Sequence, residues 1–402
     1  MGMRKTKFWW AMTLVLLALA VTQSASHGEE PQPPKSAGNA GVQNNDPGKQ
    51  QLRYQDYALF IGGISNPQGS LAAQEKGPEW VRYARTMNQN WERFENRQLR
   101  SMRDWAAKEV ATCQALPHTI FYPFSGPDVL NMYTLFPRAQ TYLMVALEPV
   151  GELPDFSALN ERNFFAGLQR SLYELLHLNF FITQKLKSVS QSKELKGVLP
   201  VLLFFLAREK AQILEVQYWL MQPDGAMKMT PALNRKKPEG EGIPGVRIVF
   251  TSPGSTEKQT LYYFSLNLRN DSWQRNQHFV SFLKGFGPLA TFEKAASYLM
   301  FRPYFSAIRE FILDRSQYVL QTDSGIPLKH FDKTAWSLKF YGRYQCPIRL
   351  FSNCLQPEMA EIYRKREGIQ PLPFGIGYHH RVKTSNLMSA SRKEKAPSPE
   401  VK

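Results

Sequence analysis

Six residues with the chemistry to hold a small ligand follow short apolar segments of the chain. They form a serine–glycine–aspartate turn, a single glutamate and a later aspartate–serine pair: Ser125, Gly126, Asp128, Glu148, Asp323 and Ser324. Their carboxylates and hydroxyls can hydrogen-bond a polar or anionic ligand, and the glycine lets the backbone approach it closely. In open sheets of parallel strands, ligands bind beyond the carboxyl ends of the strands. The placement therefore predicts a cleft for a small polar or anionic ligand at one edge of a sheet.

Two of these residues are also candidate nucleophiles. Ser125 or Ser324 would serve a hydrolase or transferase if a general base lay within about 3 Å of the hydroxyl, directly or through one water. His118 and His330 are the candidate bases, and their spacing from the serines does not require contact. A structural interpretation competes with catalysis, because serine and Asp128 also suit helix caps and turns. The sequence leaves open whether the protein is an enzyme.

Common catalytic and cofactor motifs are absent from the chain. It contains no Walker A sequence, no Gly-x-Ser-x-Gly, no His-Glu-x-x-His and no Cys-x-x-Cys. The seven histidines are scattered, and His379 and His380 are the only adjacent pair. We therefore expect no metal site and no cofactor. In an oxidising compartment Cys346 and Cys354 could form a disulfide, which leaves Cys113 as a buried thiol.

Residues 118–151 have the pattern of a strand–helix–strand unit. Residues 118–123 are apolar, aromatic or β-branched, and residues 141–147 are a second apolar segment. Between them lie a glycine turn and a short helical segment at 128–136 that ends before Pro137. Such a unit is normally right-handed with parallel strands, and strands this apolar suit a sheet covered on both faces.

The rest of the chain predicts a mixture of helices and strands. Residues 246–251 and 259–268 resemble the arms of a hairpin, and residues 317–321 and 336–344 are predicted to be neighbouring strands. Further predicted elements are a strand at 211–221 and helices at 78–105, 160–186, 198–207, 274–285, 291–301, 304–315 and 356–366. We expect an α/β protein with three layers, a mixed, largely parallel sheet and an N-terminal helical embellishment.

Composition divides the 402 residues into five parts. We predict a signal peptide at 1–26, a disordered linker at 27–52, a helical segment at 53–117, the α/β domain at 118–386 and a disordered tail at 387–402. The first part has a basic start, an apolar run at 11–21 and small residues at 24–26. These features predict an exported protein, periplasmic or extracellular. Eleven apolar residues are too few to span a bilayer, so the mature chain is not expected to be an integral membrane protein; an uncleaved anchor is the alternative.

The basic charge balance predicts weak surface attraction. The chain contains 50 Lys and Arg residues and 34 Asp and Glu residues, and the basic residues are spread along it without a block of like charges. This pattern favours loose attraction to an anionic envelope surface over nucleic-acid binding. The tryptophan- and arginine-rich helix at 80–105 suggests a third function, an envelope protein that docks through its aromatic stripe. An aromatic stripe more often packs on the core, and this is the interpretation that we favour for the helix.

Two motifs carry a resemblance to known groups of proteins. With Tyr-Pro-Phe-Ser-Gly-Pro-Asp at 122–128 and Leu-Pro-Phe-Gly-Ile-Gly-Tyr at 372–378, the chain is similar to an uncharacterised family of bacterial exported proteins. That family has no assigned activity, so the similarity implies export from the cytoplasm but no mechanism. Residues 118–148 also resemble the opening of a Rossmann-type nucleotide domain of the methyltransferase class. There a glycine turn precedes an acidic residue that ends the second strand, and Gly126 and Glu148 have that placement.

Overall fold

The computed structural model describes most of the chain beyond the predicted linker. The described residues are 54–111, 116–153, 156, 161–178, 197–230 and 242–393. The predicted signal peptide, the predicted linker and Cys113 lie outside them, so those predictions stay predictions.

Ten strands form one sheet. They are β1 (Thr119–Pro123), β2 (Thr141–Ala146), β3 (Gln212–Met221), β4 (Met227–Thr230), β5 (Ile243–Thr251), β6 (Lys258–Ser265), β7 (Leu289–Glu293), β8 (Ser316–Gln321), β9 (Trp336–Gly342) and β10 (Asn386–Arg392). Across the sheet the order is β4-β3-β5-β6-β2-β1-β7-β8-β10-β9.

The centre of the sheet is parallel. Strands β6, β2, β1, β7 and β8 run in the same direction, and Thr119 of β1 lies opposite Thr141 of β2. The predicted strand–helix–strand unit is thereby confirmed, as is the hairpin, whose arms are β5 and β6.

The prediction of a largely parallel sheet is wrong. Antiparallel strands flank the parallel centre on both sides: β5, β3 and β4 beyond β6, and β10 and β9 beyond β8. The hairpin between β5 and β6 reverses the chain on one side, and β10 returns antiparallel to β8 on the other. The sheet is therefore mixed.

Three further predictions about strands fail. Residues 289–293 form β7, although residues 291–301 were expected to be helical. Residues 386–392 form β10, although a disordered tail was expected from residue 387. β9 is not the neighbour of β8, because β10 lies between them. In each case pairing with other strands determines where the strand forms, and a local residue pattern carries no information about those partners.

Ten helices surround this sheet in the described ranges. They are α1 (Tyr54–Gly62), α2 (Pro78–Phe94), α3 (Arg100–Glu109), α4 (Val129–Leu135), α5 (Glu161–Leu178), α6 (Leu199–Arg208), α7 (Asn270–Arg275), α8 (Gln277–Lys284), α9 (Ser306–Arg315) and α10 (Pro357–Lys365). A single π-helical turn, Glu95–Leu99, joins α2 to α3. Within these described ranges, no helix combines the length and apolarity needed to cross a membrane.

Alternate residues of the central strands belong to two hydrophobic clusters. Tyr122 and Met144 pack with side chains of α1 to α6 in the first cluster. Phe121 and Leu143 pack with side chains of α7 to α10 in the second. This alternation follows from the two-residue period of a strand. The three-layer arrangement itself stays a prediction.

The aromatic stripe of α2 is part of the core. Trp80, Met87, Trp91 and Phe94 are all buried, and Trp80 Nε1 donates a hydrogen bond to the carbonyl oxygen of Phe60 at 2.9 Å. The stripe is therefore not an exposed docking face, and its burial agrees with the core interpretation.

The two cysteines in the described residues are free. Cys346 is exposed, whereas Cys354 is buried, and burial raises the pKa of the Cys354 thiol. The disulfide that their spacing suggested is not present in the structure, since one thiol faces solvent while the other packs into the protein.

Candidate functional site

The six candidate residues follow strands that end at the same edge of the sheet, here called the carboxyl edge. Ser125 follows β1, Glu148 follows β2 and Asp323 follows β8. These strands lie within four consecutive positions of the sheet, so the three steps from β2 to β8 span about 14 Å. All of the candidates except the half-buried Gly126 are buried. The sequence thus located a shared edge correctly, but it did not indicate how deeply these residues lie.

The chain order reverses between β1 and β7. From β1 the chain continues through β2 and β6 on one side, and β7 and β8 then lie on the other side. In doubly wound sheets this reversal point opens a crevice at the carboxyl ends of the strands, where ligands bind. Two residues that the sequence analysis did not select lie at this point: Glu293 ends β7, and Lys294 follows it.

A buried ion pair joins the ends of β1 and β7. Lys294 Nζ lies 2.5 Å from Asp128 Oδ2, and both side chains are 2% exposed. Tyr122 donates its hydroxyl proton to the same carboxylate at 3.0 Å, and Asn131 Nδ2 donates to Asp128 Oδ1 at 2.7 Å. Burial lowers the pKa of Lys294, and the charge of Asp128 opposes that shift. Asp128 also accepts from the backbone N–H of Asn131 and so caps α4.

The Glu293 carboxyl is a buried acid without a hydrogen bond. Its side chain is 0% exposed, and neither oxygen has a partner among the described residues. Burial raises the pKa of Glu293 to about 8. At neutral pH the group therefore keeps its proton most of the time and can both donate and accept a hydrogen bond. A buried polar group that lacks a partner is uncommon in folded proteins and calls for an explanation.

Asp323 is held by a network of polar side chains. Tyr298 donates a hydrogen bond to Asp323 Oδ2, and Asn386 Nδ2 donates to Oδ1 at 3.2 Å. The backbone N–H of Asp323 donates to Asn386 Oδ1 at 2.8 Å, and Gln356 Nε2 donates to the Asp323 carbonyl at 3.1 Å. Burial raises the pKa of Asp323, and the bonds from Tyr298 and Asn386 oppose that shift.

The segment after Lys294 has a strained backbone. Ala295, Ser297 and Tyr298 adopt φ values of 52°, 53° and 52°, in the left-handed region that non-glycine residues seldom occupy. Ser324 Oγ accepts a hydrogen bond from the backbone N–H of Ala296 at 3.0 Å. Such strain persists only where surrounding contacts impose it, and it concentrates at functional sites.

The second sequence motif, at 372–378, lies against this strained segment. Tyr378 donates its hydroxyl proton to the Ala295 carbonyl at 2.9 Å, and its oxygen lies 2.8 Å from Ser297 Oγ. Gln98, in the π-helical turn, exchanges two hydrogen bonds with the backbone of Gly375. The π-helical turn, a feature often found at functional sites, thus anchors the motif that packs on the end of β7.

We expect Gly375→Ala to displace this motif. A Cβ atom at this position would lie 1.7 Å from the His380 carbonyl oxygen, so the backbone would have to move. The free energy of unfolding should fall by about 2–4 kcal/mol, measured by urea denaturation. The matched control is Gly285→Ala, where φ is −62° and the nearest atom to a Cβ, the Phe282 carbonyl oxygen, lies 3.2 Å away, so the effect should be smaller. Equal effects of the two substitutions would contradict the close contact.

Neither candidate serine is placed as a nucleophile. Ser125 Oγ donates a hydrogen bond to the Gly126 carbonyl oxygen at 3.0 Å, and Ser324 Oγ accepts one from the backbone N–H of Ala296. His118 precedes β1 and so lies at the opposite edge of the sheet from Ser125. No described hydrogen bond joins an imidazole to either serine. The hydrolase interpretation therefore gains no support from the geometry.

Metal ligands are not gathered at this edge in the part of the chain that the structure describes. There, no group of three His, Cys, Asp or Glu side chains could hold a metal ion. His379 Nε2 instead lies 2.9 Å from the Cys346 carbonyl oxygen.

Glu293, Lys294 and Tyr298 were missed because they fall in the predicted helix at 291–301. Alanines at 295 and 296 favour a helix, and this local preference suggested the wrong element. A usable signal precedes them, since Gly287 and Pro288 mark a turn before a short segment with Thr and Phe.

Comparison with known proteins yields no relative: no family model matches the chain, nor does any curated protein or solved structure.

Proposed function

We propose that the protein binds a small polar molecule of the nucleoside kind at the carboxyl edge, between β1 and β7. The observation that carries this proposal is the Glu293 carboxyl, which is fully buried at the end of β7 and has no partner for either oxygen in the part of the chain that the structure describes. Leaving such a group unsatisfied costs about 1–3 kcal/mol, and a ligand that bonds to it recovers that cost.

The strand order supports a ligand of this kind. When the five parallel strands are numbered in chain order, their order across the sheet from β6 to β8 is 3-2-1-4-5. The doubly wound sheets that bind nucleotides have the same order. In those sheets an acidic residue about 20 positions after the glycine turn binds the ribose hydroxyls, and Glu148 has that position relative to Gly126. The sheet packs against one set of helices in each of its two hydrophobic clusters, and from this we further infer a three-layer arrangement.

The charges at the carboxyl edge favour a ligand that donates hydrogen bonds. Four acidic side chains gather there with one ammonium group: Asp128, Glu148, Glu293, Asp323 and Lys294. Glu293 keeps its proton at neutral pH, and the ammonium group of Lys294 is already paired with Asp128. An anionic ligand would therefore face the carboxyl groups of Glu148 and Asp323, so we favour a neutral or cationic molecule over the anionic alternative. Gly126, at φ 54°, has no atom within 4 Å of the position of a Cβ atom, and this open space is the approach for the ligand.

Thermal shift assays of the purified full chain test the proposal. The probes are adenosine, its cationic derivative S-adenosylmethionine, and inorganic phosphate as the anionic comparison. We expect adenosine or its derivative to raise Tm, because a ligand that binds only the folded state adds about 2.7 kcal/mol at 100 times its Kd. The shift should shrink in Glu293→Gln and persist in Glu257→Gln, whose glutamate is exposed.

Two results would contradict this assignment. One is stabilisation by phosphate but by neither nucleoside. The other is a nucleoside shift of the same size in Glu293→Gln and in the wild type.

We also infer that the protein is exported and is loosely attracted to anionic envelope surfaces. The support is the basic start, the apolar run at 11–21 and the net charge of +16. N-terminal sequencing of the chain isolated from its native host should begin near His27.

A further inference from the structure

A cavity of about 450 Å³ lies at the amino edge of the sheet, opposite to the carboxyl edge. It is bounded by α3, by α4 and by the connection from α4 to β2. Its volume falls within the range of about 300–1,000 Å³ that is typical of pockets for small molecules. Apolar side chains form most of its wall, among them Ala106, Val110, Ile120, Leu135, Phe136 and Ala139.

One hydroxyl in this wall has no partner. Thr134 lines the cavity and is 2% exposed, and its Oγ1 forms no hydrogen bond with any residue in the described ranges. This hydroxyl is closed off from water, so the surface that the cavity presents is largely apolar. Such a cavity suits a ligand that is apolar along most of its length.

Arg103, Arg138 and Glu209 are the charged residues that line the cavity. Arg103 and Glu209 form an ion pair at 2.9 Å, and Arg103 also pairs with Glu95, so the charge of this arginine is compensated. Arg138, which also lines the cavity, is exposed and has no hydrogen-bond or ion-pair partner among the described residues. A guanidinium of this kind pairs well with a carboxylate.

We propose that this cavity binds a small amphipathic carboxylate, such as a medium-chain fatty acid. Its chain lies along the apolar wall, and its carboxylate pairs with Arg138. No residue of this cavity belongs to the carboxyl edge. The inference therefore stands independently of the function proposed above.

Isothermal titration of the full chain with decanoate and with decyltrimethylammonium tests the proposal. Both probes carry a ten-carbon chain, they differ in the sign of the head group, and they are used below their micelle concentrations. We expect saturable one-to-one binding of decanoate, with the cationic probe at least tenfold weaker. Absence of decanoate binding, or equal affinities for the two probes, overturns the proposal.

Substitutions assign the binding to the cavity. Ala107 lines the cavity and is exposed, so Ala107→Trp fills the space without disturbing the core, and it should weaken decanoate binding at least tenfold. Arg138→Gln should weaken decanoate binding about two- to fivefold, as expected for an exposed ion pair. The control, Arg275→Gln, removes a 70% exposed arginine on α7 and should leave the affinity unchanged.

Each variant is first compared with the wild type by thermal unfolding without ligand. If Ala107→Trp binds decanoate with wild-type affinity, the ligand occupies another place and the proposal is wrong. If Arg138→Gln and Arg275→Gln weaken binding equally, the recognition of the carboxylate by Arg138 is wrong.

Discussion

Replacing Lys294 with methionine should lower the free energy of unfolding by about 3–5 kcal/mol at neutral pH. The substitution removes the ammonium group 2.5 Å from Asp128 and leaves a carboxylate that is 2% exposed without its counter-charge. Breaking a buried ion pair from one side costs this much because the remaining charge keeps its desolvation penalty. Urea denaturation at pH 7 measures the loss.

A double variant separates the charge from the packing. Lys294→Met combined with Asp128→Asn removes both charges while the asparagine can still cap α4, so the double variant should be more stable than Lys294→Met alone. The matched control is the exposed pair of Lys333 and Glu358, which are 2.6 Å apart. Lys333→Met should cost less than about 1 kcal/mol. If both lysine substitutions lower the free energy of unfolding equally, burial does not determine how strongly the pair of Lys294 and Asp128 stabilises the protein.

Replacing Glu293 with glutamine should stabilise the protein at alkaline pH and have little effect in acid. The buried carboxyl has a pKa of about 8 in the folded protein against an ordinary value of 4.5. Between these pH values the folded state keeps a proton that the unfolded state releases, so wild-type stability falls as the pH rises. The glutamine, which does not titrate, escapes this loss of about 1.4 kcal/mol per pH unit.

Urea denaturation at pH 4.5, 6.5 and 8.5 measures this effect. The advantage of Glu293→Gln over the wild type should be small at pH 4.5 and grow to roughly 4 kcal/mol at pH 8.5. Glu257→Gln, at an exposed position, should follow the wild type throughout. A Glu293→Gln advantage that does not change with pH would show that Glu293 does not titrate in this range.

The sequence predicted those elements whose neighbours are close in the chain. The unit of β1, α4 and β2 and the hairpin of β5 and β6 are each complete within a short segment, so the residue pattern and the turns determine them. β10 was not predicted, because its partners β8 and β9 are distant in sequence. β7 is about as near in sequence to β8 as β1 is to β2, and it was missed because the alanines that follow it favour a helix. β10 contains serine and alanine at positions that a strand tolerates only when β8 and β9 enclose it.

The candidate site was predicted in part, for the same physical reason. Asp128 and Asp323 were found because a polar residue after an apolar strand is visible in the sequence. Glu293 and Lys294 were not found, since their importance depends on pairing β7 with β1 and burying their charges. Burial and missing partners are properties of the assembled structure, and no local spacing contains them.

The position of β1 has a consequence for how the chain assembles. This strand is at the centre of the sheet, yet one of its two neighbours, β7, begins only at Leu289. Until that part of the polypeptide has been synthesised, a strongly apolar strand keeps one unpaired edge, which is a template for aggregation. Pairing between such distant strands is also slow, because a long loop must close first. A polypeptide stopped before Leu289 should therefore accumulate as insoluble material rather than as a smaller folded protein.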